Sequence, residues 1–151
     1  MIQRIQSVYL FLVVLLSIAM LFVPLAEYSL KEIQPNKVQF TLLGFHSQAS
    51  NTLVLPALMV DLAIGLIALI TIFLYKKRKL QMKLCILNVL LTLALVALIA
   101  YYVYNFNGYY VSNQDYLFGI CLPVLMIIFL LLGRKAIKKD DELVRAADRL
   151  R

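Results

Sequence analysis

The sequence has little of the chemistry on which most enzymes depend. It contains one histidine, His46, two cysteines and five glycines among 151 residues. The histidine falls in a polar connection, so no histidine-based metal cluster or histidine-dependent triad can be assembled from this chain alone. No glycine-rich phosphate-binding loop is present either. We therefore predict that the protein is not an enzyme and that it uses no metal or other cofactor.

Charge is also scarce. Charged residues make up 15% of the chain, whereas hydrophobic residues make up 63%. The apolar residues form four unbroken stretches, each close to the roughly 20 residues that a helix needs to cross a bilayer. Lipid offers the backbone no hydrogen-bond partner, so such stretches predict helices. We predict an all-α membrane protein, a four-transmembrane-helix bundle that forms a single membrane domain over residues 1–151.

The boundaries follow from where the apolar stretches stop. The predicted spans are 7–25, 53–75, 84–106 and 116–133, joined by an outer loop at 26–52, an inner loop at 76–83 and a second outer loop at 107–115, with a tail at 134–151. A cleaved signal peptide is the rival interpretation of the first stretch, but the stretch is long for one and lacks an Ala-x-Ala exit. Cys85 and Cys121 lie at depths roughly 16 Å apart on helical rise. That separation predicts free thiols.

The distribution of positive charge predicts the orientation. Of the fifteen lysines and arginines, all but Lys31 and Lys37 lie on one side of the predicted bundle. Basic loops of this length stay in the cytoplasm, and an even number of spans returns the chain to the same side. We therefore expect both termini to be cytoplasmic. Because membrane orientation accounts for the positive charge, we do not expect nucleic acid as a partner.

The polar segments predict two small structures. In the first outer loop, Val38, Phe40 and Leu42 alternate with polar residues, which indicates a short β-hairpin. The hairpin either caps the bundle or presents Phe40, Leu43 and Phe45 to a partner. The second outer loop has the composition of an ordinary polar connection. In the tail, Leu143 and Val144 belong to a helical apolar stripe, which predicts a short amphipathic cytoplasmic helix.

Asp61 is the most informative polar residue because it lies well inside the second span, where a bare carboxylate costs several kcal/mol. Counting helical rise places it level with Ser17 on the first span and close to Tyr101 on the third. Two interpretations of Asp61 remain: it is a proton or cation site, or its carboxyl group makes a hydrogen bond to a neighbouring helix. Asn88 and Thr92 lie four residues apart on the third span, and we expect them to bond across a helix interface.

Three stretches carry a resemblance to a known family. They are 1–7 (MIQRIQS), 78–88 (RKLQMKLCILN) and 138–151 (KKDDELVRAADRLR). The chain resembles domain-of-unknown-function family 4293, small proteins of the bacterial inner membrane with no assigned activity. The resemblance implies that location and supplies no catalytic or binding residues. All three stretches fall on the predicted cytoplasmic side.

We predict a non-enzymatic accessory or assembly subunit of a membrane protein complex that binds other inner-membrane proteins through its cytoplasmic face. The residues predicted to contact a partner or lipid are Lys76, Lys77, Arg78, Lys79, Lys83, Leu143, Val144, Arg145 and Leu150. Membrane lipids are expected partners, and a homo-oligomer is a further candidate. The alternative is a small oligomeric transporter or channel that uses Asp61 as its ion or proton site.

Overall fold

Four long helices and a small antiparallel sheet make up the described part of the chain. The computed structural model describes residues 3–30, 37–46, 51–52, 54–75, 77–106 and 111–149. The helices are α1 (Gln3–Phe22), α2 (Leu55–Phe73), α3 (Arg78–Phe106) and α4 (Leu122–Arg149). The strands are β1 (Ala26–Leu30), β2 (Lys37–Thr41), β3 (Gly44–His46), β4 (Asn51–Thr52) and β5 (Val111–Tyr116). A 3-10 helix (Phe118–Cys121) precedes α4.

Each helix is long and apolar enough to cross a membrane, as the sequence predicts. Each packs against two neighbours: α1 contacts α2 and α4, and α3 contacts the same two helices from the other side. The buried residues recur in steps of three and four. On α1 they include Gln6, Leu10, Val13, Ser17 and Met20; on α2 they are Ala57, Asp61, Ile64, Ala68 and Thr71. On α3 they are Gln81, Cys85, Asn88, Thr92, Leu95, Ile99 and Val103; on α4 they include Met126, Leu130, Ile137 and Asp140. Such steps average the 3.5 residues typical of left-handed helix bundles.

These inward-facing residues of the four helices are called the seam below. The remaining hydrophobic surface points outward: Phe11, Leu66 and Leu90 are all more than half exposed. Hydrophobic side chains exposed all around a bundle are costly in water and favourable in lipid. The narrow seam and the wide apolar exterior therefore suit a bundle that lies within a membrane.

The sheet covers one end of the bundle, which we call the sheet end. Its strand order is β4-β3-β2-β1-β5, with antiparallel neighbours. The predicted alternation holds, since Val38 and Phe40 are buried. The rings of Phe40 and Phe45 stack with their centroids 4.6 Å apart. Because Phe40 is fully buried, this part of the sheet caps the bundle and does not present that ring to a partner.

Tyr28 lies on the buried face of β1, outside the helices. Burial, with a smaller contribution from nearby Tyr116, raises the pKa of Tyr28 to about 12. The phenol is therefore neutral at physiological pH, which suits its place in an apolar layer.

The sheet is larger than predicted because the second outer loop joins it. The sequence predicted a polar connection over 107–115 and a fourth span from residue 116. Instead β5 pairs with β1 from Leu30↔Val111 to Ala26↔Tyr116. The strand sequence VSNQDY is polar, so its alternation carries no hydrophobic signal. β5 forms because β1 offers an edge with unpaired backbone groups. The helix α4 begins only after this strand, at Leu122.

The opposite end, which we call the basic end, also differs from the prediction. The turn between α2 and α3 is shorter than the predicted loop 76–83, since the Lys77 carbonyl accepts hydrogen bonds from the N–H groups of Leu80 and Gln81, which start α3. The tail is not a separate amphipathic helix. It continues α4 without a break, because buried Ile137 and Asp140 extend the seam past the apolar stretch.

The sheet end depends on one close backbone approach. A Cβ atom added at Gly119, in the 3-10 helix, would lie 2.5 Å from the carbonyl oxygen of Pro24. Nearby, the Leu117 N–H donates to the Leu25 carbonyl at 3.1 Å. The connection before α4 is thus pressed directly against the connection after α1, and the lack of a side chain at Gly119 makes this possible.

We expect Gly119→Ala to lower the free energy of unfolding by about 1 to 3 kcal/mol, because a backbone oxygen cannot move aside as a flexible side chain can. Thermal unfolding in detergent micelles measures the effect. Gly133→Ala is the matched control: its added Cβ would meet no atom closer than 3.6 Å. It should be neutral or stabilising by up to about 1 kcal/mol, since alanine favours helix. Equal effects of the two substitutions would contradict this packing.

Candidate functional site

The structure brings Asp61 and Ser17 together in the seam. The Ser17 Oγ atom lies 3.1 Å from Asp61 Oδ2 and 3.2 Å from the Asp61 backbone oxygen. Asp61 is 0% exposed and Ser17 is also buried. A Cβ added at Gly65 would lie 3.0 Å from Ser17 Oγ, so this glycine allows α1 to approach α2 at the level of the carboxyl group. The contact joins the first two helices in the half of each that is nearer the sheet end.

Tyr101 does not join this pair. Its side chain is 61% exposed, and its ring stands edge-on to Tyr102 with the centroids 5.7 Å apart. Depth counting placed Tyr101 near the level of Asp61 but did not determine its face. Ile99 and Val103 occupy the buried positions on that part of α3, so Tyr101 falls outside the seam.

One carboxyl oxygen of Asp61 is unsatisfied. Oδ1 is buried without a hydrogen-bond partner among the residues that the structure describes. The ion pairs among the described residues join Arg78 to Asp140 and Lys138 to Glu142, so neither includes Asp61. A buried carboxylate with no cation beside it is expensive in lipid. The Oδ1 atom is therefore an acceptor suited to a proton, a hydrogen bond from water or a small cation.

The same seam holds other acceptor oxygens of this kind. Within the described ranges, the side-chain oxygens of Gln6, Gln81 and Asn88 are buried and lack partners. Each of these atoms is an amide oxygen, which accepts hydrogen bonds and cannot donate one. The polar part of the seam is thus short of donors, from Asp61 toward the basic end.

Other polar groups in the seam bond to backbone carbonyls. The Asn88 amide donates across the interface to Ile64 O at 3.2 Å, as the sequence predicted for this residue. Gln81 donates to Thr71 O at 2.7 Å, again between α3 and α2. Thr92 departs from the prediction: its hydroxyl donates to Asn88 O at 2.8 Å within α3, although the side chain is buried. Asn88 and Gln81 therefore link helices, whereas Thr92 does not.

At the basic end an ion pair joins two segments that are far apart in sequence. Arg78 Nε lies 3.1 Å from Asp140 Oδ2, and both side chains are largely buried. Arg78 begins α3, and Asp140 lies on the part of α4 that corresponds to the predicted tail. The inner turn and the tail thus form one surface.

Five of the other residues predicted to contact a partner are among the described residues. Lys77, Lys79 and Lys83 are exposed. Leu143 and Val144 are 47% and 39% exposed on the helix beyond Asp140. Lys76, Leu150 and the side chain of Arg145 lie outside the described residues. Lys138 and Glu142 form an exposed pair at 3.8 Å.

Sequence reasoning missed Gln6, Gln81 and Asp140. The spacing of the buried residues contains the signal that identifies them. Gln81 lies seven residues before Asn88, and Gln6 lies seven before the buried Val13. Extending the three-and-four pattern of each span into its flanks, past the last apolar residue, would have placed these side chains in the seam.

The sequence matches the model of a known family over almost its whole length. A family model for a domain of unknown function, DUF4293, matches residues 2–150 of the chain. The chain belongs to the DUF4293 family. No curated protein matches it. The resemblance inferred from the three sequence stretches is confirmed, and the four apolar helices of this DUF4293 protein indicate a multi-pass membrane protein.

The contact between Ser17 and Asp61 can be tested by a double-mutant cycle with Ser17→Ala and Asp61→Ala. We expect a coupling energy of about 0.6 to 2 kcal/mol, the range of hydrogen bonds between membrane helices. Unfolding in mixed micelles by titration with sodium dodecyl sulfate measures each free energy.

The control cycle pairs Asp61→Ala with Thr71→Ala. The Thr71 hydroxyl donates within its own helix to Ile67 O at 2.6 Å. Because Thr71 lies about 15 Å along α2 from Asp61, these two substitutions should be additive. Additivity of Ser17→Ala with Asp61→Ala would show that the two side chains do not interact.

Proposed function

We propose that this DUF4293 protein is a non-enzymatic accessory or assembly subunit of a complex in the bacterial inner membrane. In this proposal the basic end faces the cytoplasm and binds a partner protein. The excess of lysine and arginine at that end supports the orientation, because short basic segments are retained in the cytoplasm.

The observation that carries the proposal is the ion pair between Arg78 and Asp140. The sequence pointed to two separate segments for partner binding, the inner turn and the tail. A charged pair that is largely buried holds them in one fixed arrangement, and removing either partner would leave an uncompensated charge. The bundle then offers a preformed surface, which costs little conformational entropy on binding.

The form of α4 supports the same function. The helix has 28 residues and so a length of about 42 Å, more than the roughly 30 Å of the hydrocarbon core. The helix therefore continues past the hydrocarbon core, and its end beyond Asp140 is a direct continuation of a membrane helix. Leu143 and Val144 are exposed there, beside the exposed lysines of the inner turn. A partner surface with acidic residues around an apolar centre complements these groups.

The seam is consistent with a rigid anchor. Ser17, Gln81 and Asn88 each direct a side chain to a neighbouring helix, so the polar groups fix the helices relative to one another. A fixed bundle holds the basic end in place for binding.

The test replaces Leu143 and Val144 together by serine and keeps the Arg78–Asp140 pair intact. Cross-linking mass spectrometry on native membranes first identifies the protein that contacts the basic end of the unmodified chain. We expect the double variant to reduce recovery of that protein at least roughly tenfold, as for truncation of interface anchors. The matched control, Tyr104→Ser with Phe118→Ser, removes exposed rings at the sheet end and should leave recovery unchanged. Equal recovery with the Leu143 and Val144 variant would refute the proposal.

A second candidate function is transport of protons or a small cation through an oligomer of the chain. The buried Oδ1 atom of Asp61 favours it, since this oxygen lacks a partner among the described residues. Four helices seldom enclose a pathway, so self-association is part of this candidate. Purified protein in liposomes should then carry a proton or potassium flux that Asp61→Asn abolishes. Absence of flux in the unmodified protein rejects it.

A further inference from the structure

A groove opens between α1 and α4 at the basic end. It has a volume of about 280 Å³ and is lined by Ile5, Tyr9, Leu132, Lys135, Ala136 and Lys139. Beside the groove, α1 and α4 approach closely at Gly133, where an added Cβ would lie 3.6 Å from Tyr9 Cβ. The ring of Tyr9 stacks near Phe129, with the centroids 6.3 Å apart. The groove is therefore apolar along the helices and carries two ammonium groups on one wall.

Neither lysine has an acidic partner among the residues that the structure describes. Lys135 and Lys139 are four residues apart, so both project from the same face of α4. In the described part of the chain the ion pairs join Lys138 to Glu142 and Arg78 to Asp140, and neither includes these lysines. Two unpaired positive charges beside an apolar groove attract an anion that also has an apolar part.

The depth of the groove matches the boundary between hydrocarbon and headgroups. Arg134 is the first charged residue after the apolar stretch of α4. Lys139 lies only about 7.5 Å further along the helix axis. On α1, Ile5 directly follows the opening polar residues, and Tyr9 lies one turn deeper, where tyrosine favours the interface. The apolar walls are thus at acyl-chain depth and the lysines at phosphate depth.

We propose that this groove binds one anionic phospholipid, with its phosphodiester between Lys135 and Lys139 and an acyl chain along Ile5, Tyr9 and Leu132. Charge complementarity selects an anionic headgroup over a zwitterionic one. The apolar walls distinguish a lipid from a free phosphate. This inference is independent of the partner protein proposed above.

The test is native mass spectrometry of the protein released from nanodiscs that contain equal amounts of phosphatidylcholine and phosphatidylglycerol. The unmodified protein should retain phosphatidylglycerol in preference. Lys135→Gln with Lys139→Gln should reduce this preference by roughly thirtyfold, the effect of two lysines at the headgroup surface. The control, Arg134→Gln with Lys138→Gln, removes two exposed basic residues of identical spacing from α4 that do not line the groove, and it should keep the preference.

Several outcomes would overturn the proposal. Equal losses in the two double variants would mean general attraction between a basic end and an anionic bilayer. No preference in the unmodified protein, or a preference that survives Lys135→Gln with Lys139→Gln, would exclude the groove as a lipid site and leave it to another occupant. Displacement of the lipid by soluble glycerophosphoglycerol would show that the groove recognises the phosphodiester alone.

Discussion

Polar side chains inside a lipid-embedded bundle have to find their partners within the protein, and this constraint shapes the seam. Hydrocarbon offers no hydrogen-bond partner, so each of these buried donors either bonds to a neighbouring helix or bonds back to its own. Ser17 and Asn88 take the first course and Thr92 the second. The bonds between helices set which faces meet, and the apolar residues in steps of three and four then fill the remaining space.

The same constraint distinguishes the two ends of the molecule. At the sheet end, strands from the α1–α2 and α3–α4 connections satisfy one another's backbone groups and cover the helices with buried Tyr28 and Phe40. At the basic end, α4 continues beyond the apolar stretch because Asp140 has a charged partner in Arg78. One end is therefore closed by a sheet, while the basic end presents charged and apolar side chains on fixed helices. For this reason both proposed binding functions are assigned to the basic end.

Sequence reasoning recovered the features that hydrophobicity encodes strongly. The four spans follow from the length of the apolar stretches, and the pairing of Ser17 with Asp61 follows from helical rise. It failed where the signal was not hydrophobic. β5 is a polar segment whose pairing depends on an edge supplied by β1, about 80 residues earlier in the chain. Tyr101 was assigned the right depth on the wrong face, because rise fixes height and only the packing register fixes direction.

The packing register of α1 against α2 is the central claim of this account, and one cross-link tests it directly. A Cβ at Gly65 would lie 3.7 Å from Ser17 Cβ, close to the mean separation of about 3.8 Å in disulfides. With Cys85 and Cys121 replaced by serine, the variant with Ser17→Cys and Gly65→Cys should form an intramolecular disulfide nearly completely under a membrane-permeant oxidant. Ile18→Cys with Gly65→Cys should not, since Ile18 is half exposed on the outer surface. Cross-linking of the Ile18 pair in place of the Ser17 pair would contradict the register and the seam built on it.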